Sequence, residues 1–252
     1  MMVERAGAGR ATDPVPATDG TAPRRTTPLR VTVFDYGAGN LHSLIKSLES
    51  GGAAVHVETD PARAVQDTDA LVLPGVGAFT PAAERMRPGL EVMRAALRDG
   101  LPCLGICLGM QLLFDGSDEG PGEGLGIISG HVTKLDAERV PQIGWNSLDD
   151  SGDPLITGAG LETAYYANSY VCRPHGDGID TVVAWSEHQG DRFPASVRAG
   201  SVMGTQFHPE KSSTPGVRFV HAFLAHARSQ TESHRRSPAH ATATVTATGV
   251  QP

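Results

Sequence analysis

Short apolar runs alternate with segments of helical periodicity through the middle of this chain. The runs Leu29–Phe34, Ala70–Leu73 and 101–106 are bounded by turn residues and predict buried strands. Apolar positions spaced for one face of a helix predict helices over 41–48 and 90–97. Strands that alternate with helices are typical of α/β proteins, so we predict a mainly parallel central sheet with helices on both faces.

The pattern changes in the second half of the chain and again at both ends. Over 125–202, short alternating segments rich in Gly and Asp predict an antiparallel extension of the sheet. Residues 1–28 and 229–252 lack large apolar side chains or periodicity, and such segments cannot bury enough surface to offset the entropy of ordering. We therefore predict one domain over 29–228, between two disordered tails.

The composition excludes several classes of function. The 252 residues carry 21 basic and 28 acidic side chains, a net charge of −7, and no basic stripe, so no nucleic-acid partner is expected. The longest apolar stretch, 101–114, is shorter than the roughly 20 residues that a membrane span needs, so no membrane association is expected. The three cysteines cannot all pair and the first residues lack an apolar signal segment, so we expect a reducing, cytoplasmic location.

The segment around Cys107 is the most informative part of the sequence. Gly105 and Gly109 flank it at the corner between a predicted strand and a predicted helix. This spacing is typical of a nucleophile elbow, a strained turn that fits only where side chains are missing. The positive end of the following helix would favour the thiolate, and the Leu108 N–H would face an oxyanion. The elbow predicts acyl transfer at Cys107, whereas Cys103 inside the strand is expected to be a core residue.

A thiolate nucleophile requires a base, and the base requires a group that orients it. Far downstream the chain reads Gln-Phe-His-Pro-Glu, ending at Glu210. Pro209 favours an extended conformation at His208, so the side chains of His208 and Glu210 can project to one side. A triad of Cys107, His208 and Glu210 is therefore predicted, although His-Pro-Glu taken alone is more typical of a surface turn.

Two glycine-rich corners follow other predicted strands. Gly75, Val76 and Gly77 lie at the carboxyl edge of the sheet, where α/β proteins bind ligands, and could supply a second oxyanion donor. A plain β-turn is the alternative there. The segment 35–40 contains two glycines, but His42 stands where the dinucleotide-binding motif needs its third. No cofactor and no metal are predicted.

Together these motifs resemble the triad-type glutamine amidotransferases, and within them the glutaminase subunits of imidazole glycerol phosphate synthase. The resemblance covers residues 29–228. The Gly-Ile-Cys-Leu-Gly-Met-Gln elbow and the Gln-Phe-His-Pro-Glu segment resemble the signature of the whole class. Asp-Tyr-Gly-Ala-Gly-Asn-Leu, Pro-Gly-Val-Gly-Ala-Phe, Gly-Trp-Asn and His-Pro-Glu-Lys-Ser resemble that subunit. The resemblance implies a class I glutamine amidotransferase-like, flavodoxin-like architecture.

It also implies a mechanism and a set of site residues. Cys107 would attack the carboxamide of glutamine, and Leu108 with the 75–77 loop would hold the oxyanion. His208, aligned by Glu210, would pass the thiol proton to the leaving ammonia before water hydrolyses the thioester. The residues implied for substrate binding are Gln111, Asn168, Ser169 and Tyr170, and those implied for a partner interface are Trp145, Tyr165 and Lys211.

The implied partner is a (β/α)8 synthase subunit that forms a heterodimer with the glutaminase. It would receive the ammonia and make imidazole glycerol phosphate and AICAR in histidine biosynthesis. Ammonia is mostly protonated in neutral water, so it must travel sheltered from solvent. Two positions depart from the family pattern: Gln142 replaces the histidine before Gly-Trp-Asn, and Asn168 replaces the histidine of a His-Ser-Tyr motif. These two departures leave the identity of the ammonia acceptor open.

Three alternative functions share parts of this sequence pattern. A paralogous glutaminase would supply ammonia to a different acceptor synthase, which the departures at Gln142 and Asn168 make worth testing. A thiol hydrolase with the same elbow would cleave ordinary esters or peptides and would not need Glu210. A non-catalytic subunit of the same fold is disfavoured because all three triad residue types are present.

Overall fold

The computed structural model describes residues 27–37, 39 and 41–236. Nearly all of the predicted N-terminal tail and the last part of the C-terminal tail, 237–252, lie outside the described residues. In the described part the helices are α1 (His42–Ser50), α2 (Phe79–Met86), α3 (Leu90–Arg98), α4 (Leu108–Gln111), α5 (Pro154–Ala159) and α6 (Ser213–Arg236). The strands are β1 (Leu29–Phe34), β2 (Ala53–Glu58), β3 (Ala70–Leu73), β4 (Cys103–Ile106), β5 (Gly116–Ser117), β6 (Gly130–Lys134), β7 (Gln142–Ser147), β8 (Thr163–Asn168), β9 (Tyr170–Pro174), β10 (Val182–His188), β11 (Asp191–Ala199) and β12 (Val202–Thr205).

A seven-stranded sheet forms the centre of the fold, in the order β10-β11-β12-β4-β3-β1-β2. The strands from β12 to β2 pair in parallel, whereas β10, β11 and β12 pair antiparallel. The predicted mainly parallel sheet with an antiparallel extension is confirmed. Every residue of β3, β4 and β12 is buried, which explains why these strands appear in the sequence as continuous apolar runs.

Helices cover both faces of this sheet, as predicted. On one face, α1 and α6 bury Leu48, Phe219 and Phe223 in the first hydrophobic core. On the other face, α2 and α3 bury Phe79 and Met93 in the second core. Within the described part of the chain, no helix combines the length and apolar character needed to cross a bilayer.

Two small sheets stand apart from the central one. Strand β6 pairs with β5 and β9, and β7 pairs with β8 to form a two-stranded ribbon. The sequence predicted a single extension over 125–202, because the alternation of side chains identifies a strand without identifying its partner. The ribbon matters for function because it borders the cavity described below.

Two predicted boundaries need correction. The strand predicted over 101–106 begins at Cys103, because Pro102 before it has no N–H to donate to a ladder. Helix α6 continues past residue 228 to Arg236, so 229–236 is helical rather than part of a disordered tail. Ala227 is fully buried at this point, and Thr231 donates its hydroxyl to the Ala227 carbonyl at 3.0 Å. An anchored helix continues readily, since each added residue contributes one further hydrogen bond.

Candidate active site

The candidate site lies at the carboxyl ends of two neighbouring parallel strands. Strand β4 ends at Ile106 and β12 ends at Thr205, and these two residues are paired in register. Beyond them, the Cys107 N–H donates to the Thr205 carbonyl at 2.6 Å. The sheet therefore brings the elbow cysteine beside the segment that contains His208, although the two are far apart in sequence.

The turn at Cys107 has the geometry expected of a nucleophile elbow. Cys107 has φ 49° and ψ −104°, a conformation that a side-chain-bearing residue adopts only under strain. A Cβ added to Gly105 would lie 2.6 Å from the Gly109 carbonyl oxygen. A Cβ added to Gly109 would lie 2.0 Å from the Leu73 carbonyl oxygen. Only glycine fits at either position, which explains their spacing around the cysteine.

The helix after the elbow is shorter than the sequence suggested. Helix α4 spans only Leu108–Gln111, one turn. A helix dipole grows from the alignment of successive peptide units, so the predicted helix-dipole stabilisation of a Cys107 thiolate is small here. Leu108 is the first helical residue, and its backbone N–H has no intrahelical acceptor. That N–H is suited to the predicted oxyanion role.

His208 is positioned between a carboxylate and the sulfur. Its Nδ1 lies 2.9 Å from Glu210 Oε1, and its side chain is only 2% exposed. Burial lowers the pKa of His208, but hydrogen bonds to Cys107 and Glu210, together with their charges, outweigh burial and raise the pKa to about 9. The imidazole is therefore protonated at neutral pH.

The other cysteines have a different environment. Cys103 and Cys172 are free and buried, and burial raises the pKa of both thiols. A thiol of this kind is inert, because the thiolate is the reactive form. This agrees with the expectation that Cys103 is a core residue.

A cavity of about 320 Å³ opens beside Cys107. This volume lies within the range of small-molecule sites. Within the described part of the chain, no group of three or more His, Cys, Asp or Glu side chains is arranged to hold a metal ion. The cavity is lined by Gly75, Val76, Gly77, Cys107, Leu108, Gln111, Glu119, Ala167, Asn168, Ser169, Tyr170, His208 and Lys211.

Comparison with known proteins agrees with this geometry. A family model described as glutamine amidotransferase class-I matches residues 32–227. Two curated relatives are described as imidazole glycerol phosphate synthase subunit HisH. The protein from Leifsonia xyli subsp. xyli is 42% identical over 200 residues, 75% of this chain and 95% of the relative. The protein from Halobacterium salinarum is 41% identical over 223 residues, 84% of this chain and 99% of the relative.

The chain belongs to the class-I glutamine amidotransferase family, and within it to the HisH family. A crystal structure titled glutamine amidotransferase has the same fold, with a TM-score of 0.60 at 22% identity, covering 79% of this chain and 98% of that one. The α/β fold predicted from the sequence is that of the family.

In this glutamine amidotransferase the cavity brings together nearly all the residues predicted for the triad, the oxyanion and the substrate. Glu210 stands behind His208 and contacts it instead of lining the cavity. The Gln111 side-chain Nε2 donates a hydrogen bond to the Tyr170 carbonyl at 3.1 Å, so two of the residues predicted to bind the substrate are hydrogen-bonded to each other. Gly75 lies against the base, since a Cβ there would be 2.9 Å from His208 Cε1.

Sequence reasoning missed two residues of this site. Glu119 lines the cavity and accepts a hydrogen bond from the Phe79 N–H at 2.9 Å. No motif surrounds Glu119, so the sequence offered no signal for it. Gln206 is fully buried and donates its Nε2 to Cys107 Sγ at 3.4 Å. It precedes His208 by two residues in an extended segment, and that spacing was a signal that both face one side.

The two departures from the family pattern are direct neighbours. Gln142 on β7 and Asn168 on β8 are paired in register across the ribbon. Both side chains are buried, and Gln142 Oε1 and Asn168 Oδ1 have no hydrogen-bond partner among the described residues. Two replacements at one cross-strand pair form a single local change, in which Asn168 lines the cavity and Gln142 lies behind it.

The predicted interface residues form one exposed surface beside the cavity. Trp145 and Tyr165 are cross-strand neighbours whose rings pack edge to face at 6.4 Å. Lys211 Nζ lies 6.0 Å from the centre of the Tyr165 ring. Trp145 is 55% exposed, and Ile143 on the same strand is 68% exposed. We name these four residues the ribbon surface.

Gly109→Ala is expected to destabilise the protein by about 3 kcal/mol or more, because the added Cβ meets backbone that cannot move aside. Urea unfolding followed by circular dichroism measures the change in free energy of unfolding. The matched control is Gly158→Ala in helix α5, where a Cβ meets nothing within 4 Å. This control is expected to stabilise by about 0.5–1 kcal/mol. Equal effects of the two substitutions would contradict the close packing described for the elbow.

Proposed function

We propose that this chain is a glutaminase subunit that releases ammonia from glutamine through a thioester on Cys107. The observation that carries the proposal is that Cys107 and His208 line the same cavity, with the Glu210 carboxylate 2.9 Å from Nδ1 of His208. Each residue type has the position its role requires: nucleophile at a strained elbow, base beside it, and carboxylate behind the base.

The reaction begins with a proton already on the imidazole. The Cys107 thiolate attacks the side-chain carbonyl carbon of glutamine, and the carbonyl oxygen becomes an oxyanion held by the N–H groups of Leu108 and the 75–77 loop. Because Nδ1 of His208 faces Glu210, Nε2 gives its proton to the leaving nitrogen. The C–N bond breaks, and ammonia and a γ-glutamyl thioester are formed.

Hydrolysis of the thioester completes the cycle. Neutral His208 takes a proton from water, the oxygen attacks the thioester carbonyl, and the C–S bond breaks to give glutamate and the thiolate. Glu210 keeps the imidazole in one orientation and stabilises its charge in both half-reactions. No redox step occurs, and no cofactor is needed for the atoms to balance.

The remaining lining residues suit the other end of the substrate. Glutamine carries a positive α-ammonium group, and Glu119 supplies a carboxylate at the cavity wall. Gln111, Asn168, Ser169 and Tyr170 offer amide, hydroxyl and backbone groups that can bind the α-carboxylate and the carboxamide. A few convergent polar groups of this kind fix the orientation of a small ligand.

The ribbon surface is proposed as the docking site for a (β/α)8 synthase subunit that receives the ammonia. Aromatic side chains at a surface are common interface anchors, and the exposed Trp145 packs on the half-buried Tyr165, whose ring faces the cavity residue Lys211. A subunit seated there would cover the cavity and shelter ammonia from water. We assign the product pathway to imidazole glycerol phosphate and AICAR in histidine biosynthesis, in a cytoplasmic heterodimer, because the HisH relatives match over nearly their whole length.

A second acceptor is supported by one observation. The buried pair Gln142 and Asn168 replaces two histidines of the family pattern, and Asn168 lines the cavity. A paralogous glutaminase that supplies a different synthase would be expected to differ at such a place. The chain can be mixed with the synthase subunit of its own organism, and glutamate release can be measured with candidate acceptors. The acceptor that stimulates glutamate release distinguishes imidazole glycerol phosphate synthesis from a different ammonia-consuming reaction.

Cys107→Ala is expected to abolish glutamine-dependent product formation, by about 10³-fold or more, while synthesis from added ammonium salt continues. The loss follows because only the thioester route needs the sulfur. Product formation by the complex with its synthase is the measurement. Cys103→Ala, a buried cysteine outside the cavity, is the matched control and should retain glutamine-dependent activity. If Cys107→Ala lost both glutamine-dependent and ammonium-dependent synthesis, the proposal that Cys107 serves only the release of ammonia from glutamine would be refuted.

Glu210→Gln is expected to move the alkaline limb of the kcat profile to lower pH, by about one unit or more. The Glu210 charge helps to raise the pKa of His208, so its removal lets the imidazolium lose its proton, and its ability to protonate ammonia, at lower pH. Glutamate release measured from about pH 6 to 10 tests this. Glu187→Gln, an exposed carboxylate on β10, is the control and should leave the limb in place. An unmoved limb in Glu210→Gln would remove Glu210 from the triad.

Trp145→Ala is expected to weaken binding of the synthase subunit by about 30-fold, the effect of losing about 2 kcal/mol at an interface anchor. Isothermal titration calorimetry measures the Kd. Val92→Ala on α3 removes an equally exposed apolar side chain from another part of the surface and serves as the control. Equal Kd values for Trp145→Ala and the unmodified chain would show that the partner docks elsewhere.

A further inference from the structure

Gln206 is a buried polar side chain in direct contact with the reacting sulfur. Its Nε2 donates to Cys107 Sγ at 3.4 Å, and its Oε1 accepts from Gln111 Nε2 at 3.4 Å. The residue is fully buried, so water does not compete for either hydrogen bond. The mechanism derived above assigns it no part.

The orientation of the Gln206 amide is fixed by its neighbours. The Tyr170 backbone carbonyl can only accept, and it receives the Gln111 Nε2 at 3.1 Å. That contact identifies the nitrogen of the Gln111 amide. The same nitrogen faces Gln206, so the Gln206 atom opposite it must be the oxygen. The Gln206 Nε2 is thereby directed at the sulfur as a donor.

The backbone holds this donor in place as firmly as it holds the base. Gln206 N–H donates to the Ala195 carbonyl at 2.9 Å, which ties the residue to β11. The cysteine is tied to the preceding residue, because Cys107 N–H donates to the Thr205 carbonyl at 2.6 Å. Donor and sulfur are therefore both positioned by β12 and the strands on either side of it, β11 and β4.

We propose that Gln206 helps to stabilise the Cys107 thiolate, beside the His208 imidazolium, through an amide N–H donated to the sulfur. The inference rests on the proposed function only in taking Cys107 as the nucleophile. A hydrogen bond to an anion is stronger than one to a neutral atom, so this contact favours thiolate over thiol. The single-turn helix α4 has only a small dipole, so it stabilises a negative charge on the sulfur only weakly. The hydrogen bond from Gln206 supplies stabilisation that a longer helix would otherwise provide.

The same contact acts at both ends of the reaction. It stabilises the sulfur anion before attack on the carboxamide. It stabilises the anion again when the C–S bond of the thioester breaks and both bonding electrons return to sulfur. Through Gln111, which lines the cavity, the donor is also connected to a residue that faces the substrate.

The test is the pH dependence of Cys107 alkylation by iodoacetamide, followed by mass spectrometry of the cysteine-containing peptides. Gln206→Met keeps the length of the side chain and removes the donor. The midpoint of the alkylation profile is expected to rise by about one pH unit, a tenfold change in the thiol equilibrium. Gln206→Glu keeps an oxygen for Gln111 but places a negative charge at the sulfur, so its midpoint should rise at least as far.

Ser196→Ala is the matched control, because it removes a fully buried hydrogen bond, 2.7 Å to the Gly204 carbonyl, from the adjacent strand without touching the sulfur. Its midpoint should equal that of the unmodified chain, even where its thermal unfolding temperature falls. An unchanged midpoint in folded Gln206→Met overturns the proposal. Where Gln206→Met does not fold, an unchanged midpoint in Gln206→Glu overturns the proposal, since loss of the donor and the added charge would both raise it.

This experiment is independent of the proposed function. Alkylation needs neither glutamine nor a partner subunit, so an unmoved midpoint refutes the role of Gln206 alone. Retention of glutamine-dependent activity in Cys107→Ala would instead refute the proposed nucleophile.

Discussion

The parallel pairing of β4 with β12 is the constraint on which the site depends. Four consecutive register pairs, from Val202 with Cys103 to Thr205 with Ile106, set the distance between the two strand ends. A slip of one residue would turn the exiting side chains to the opposite face of the sheet. The sulfur would then lose its base and its amide donor in one step. Glycines at 105 and 204 face each other in this register, which keeps the two backbones free of side-chain crowding beside the elbow.

The second constraint is the burial of charge. A protonated imidazole at His208 and the Glu210 carboxylate are taken out of water together, and such pairs are stable only with good geometry and further hydrogen bonds. Glu210 Oε2 lacks a partner among the described residues, so this carboxylate is less than fully satisfied. Cys107 and then Glu210 together outweigh burial and raise the pKa of His208, so the carboxylate is one of two groups that keep the imidazole protonated.

The parallel core strands and the elbow could be predicted because both follow from short-range patterns, whereas the substrate-binding residues of the cavity were implied only by the family resemblance. Strands of the core appear as apolar runs, and the elbow requires Gly105 and Gly109 within a few residues of the cysteine. Glu119 could not be predicted, since its place at the cavity depends on a hydrogen bond to Phe79 across the fold. The end of α4 could not be predicted either, because the apolar residues continue to Phe114 although the helix ends at Gln111. Buried residues look alike in sequence whether they belong to a helix or to the turn that follows it.

The ribbon surface and the base belong to one hydrogen-bonded unit. The His208 N–H donates to the Tyr165 carbonyl at 2.9 Å, and the Tyr165 N–H donates to Ser212 Oγ at 2.9 Å. Ser212 Oγ donates in turn to the His208 carbonyl at 2.7 Å, which closes a short ring. Tyr165, whose side chain lies on the proposed docking surface, therefore holds the backbone of His208 through a hydrogen bond. The base is therefore held both by the ribbon, through the Tyr165 carbonyl, and by the central sheet, through β12, whereas the sulfur is held by β4 and β12 alone.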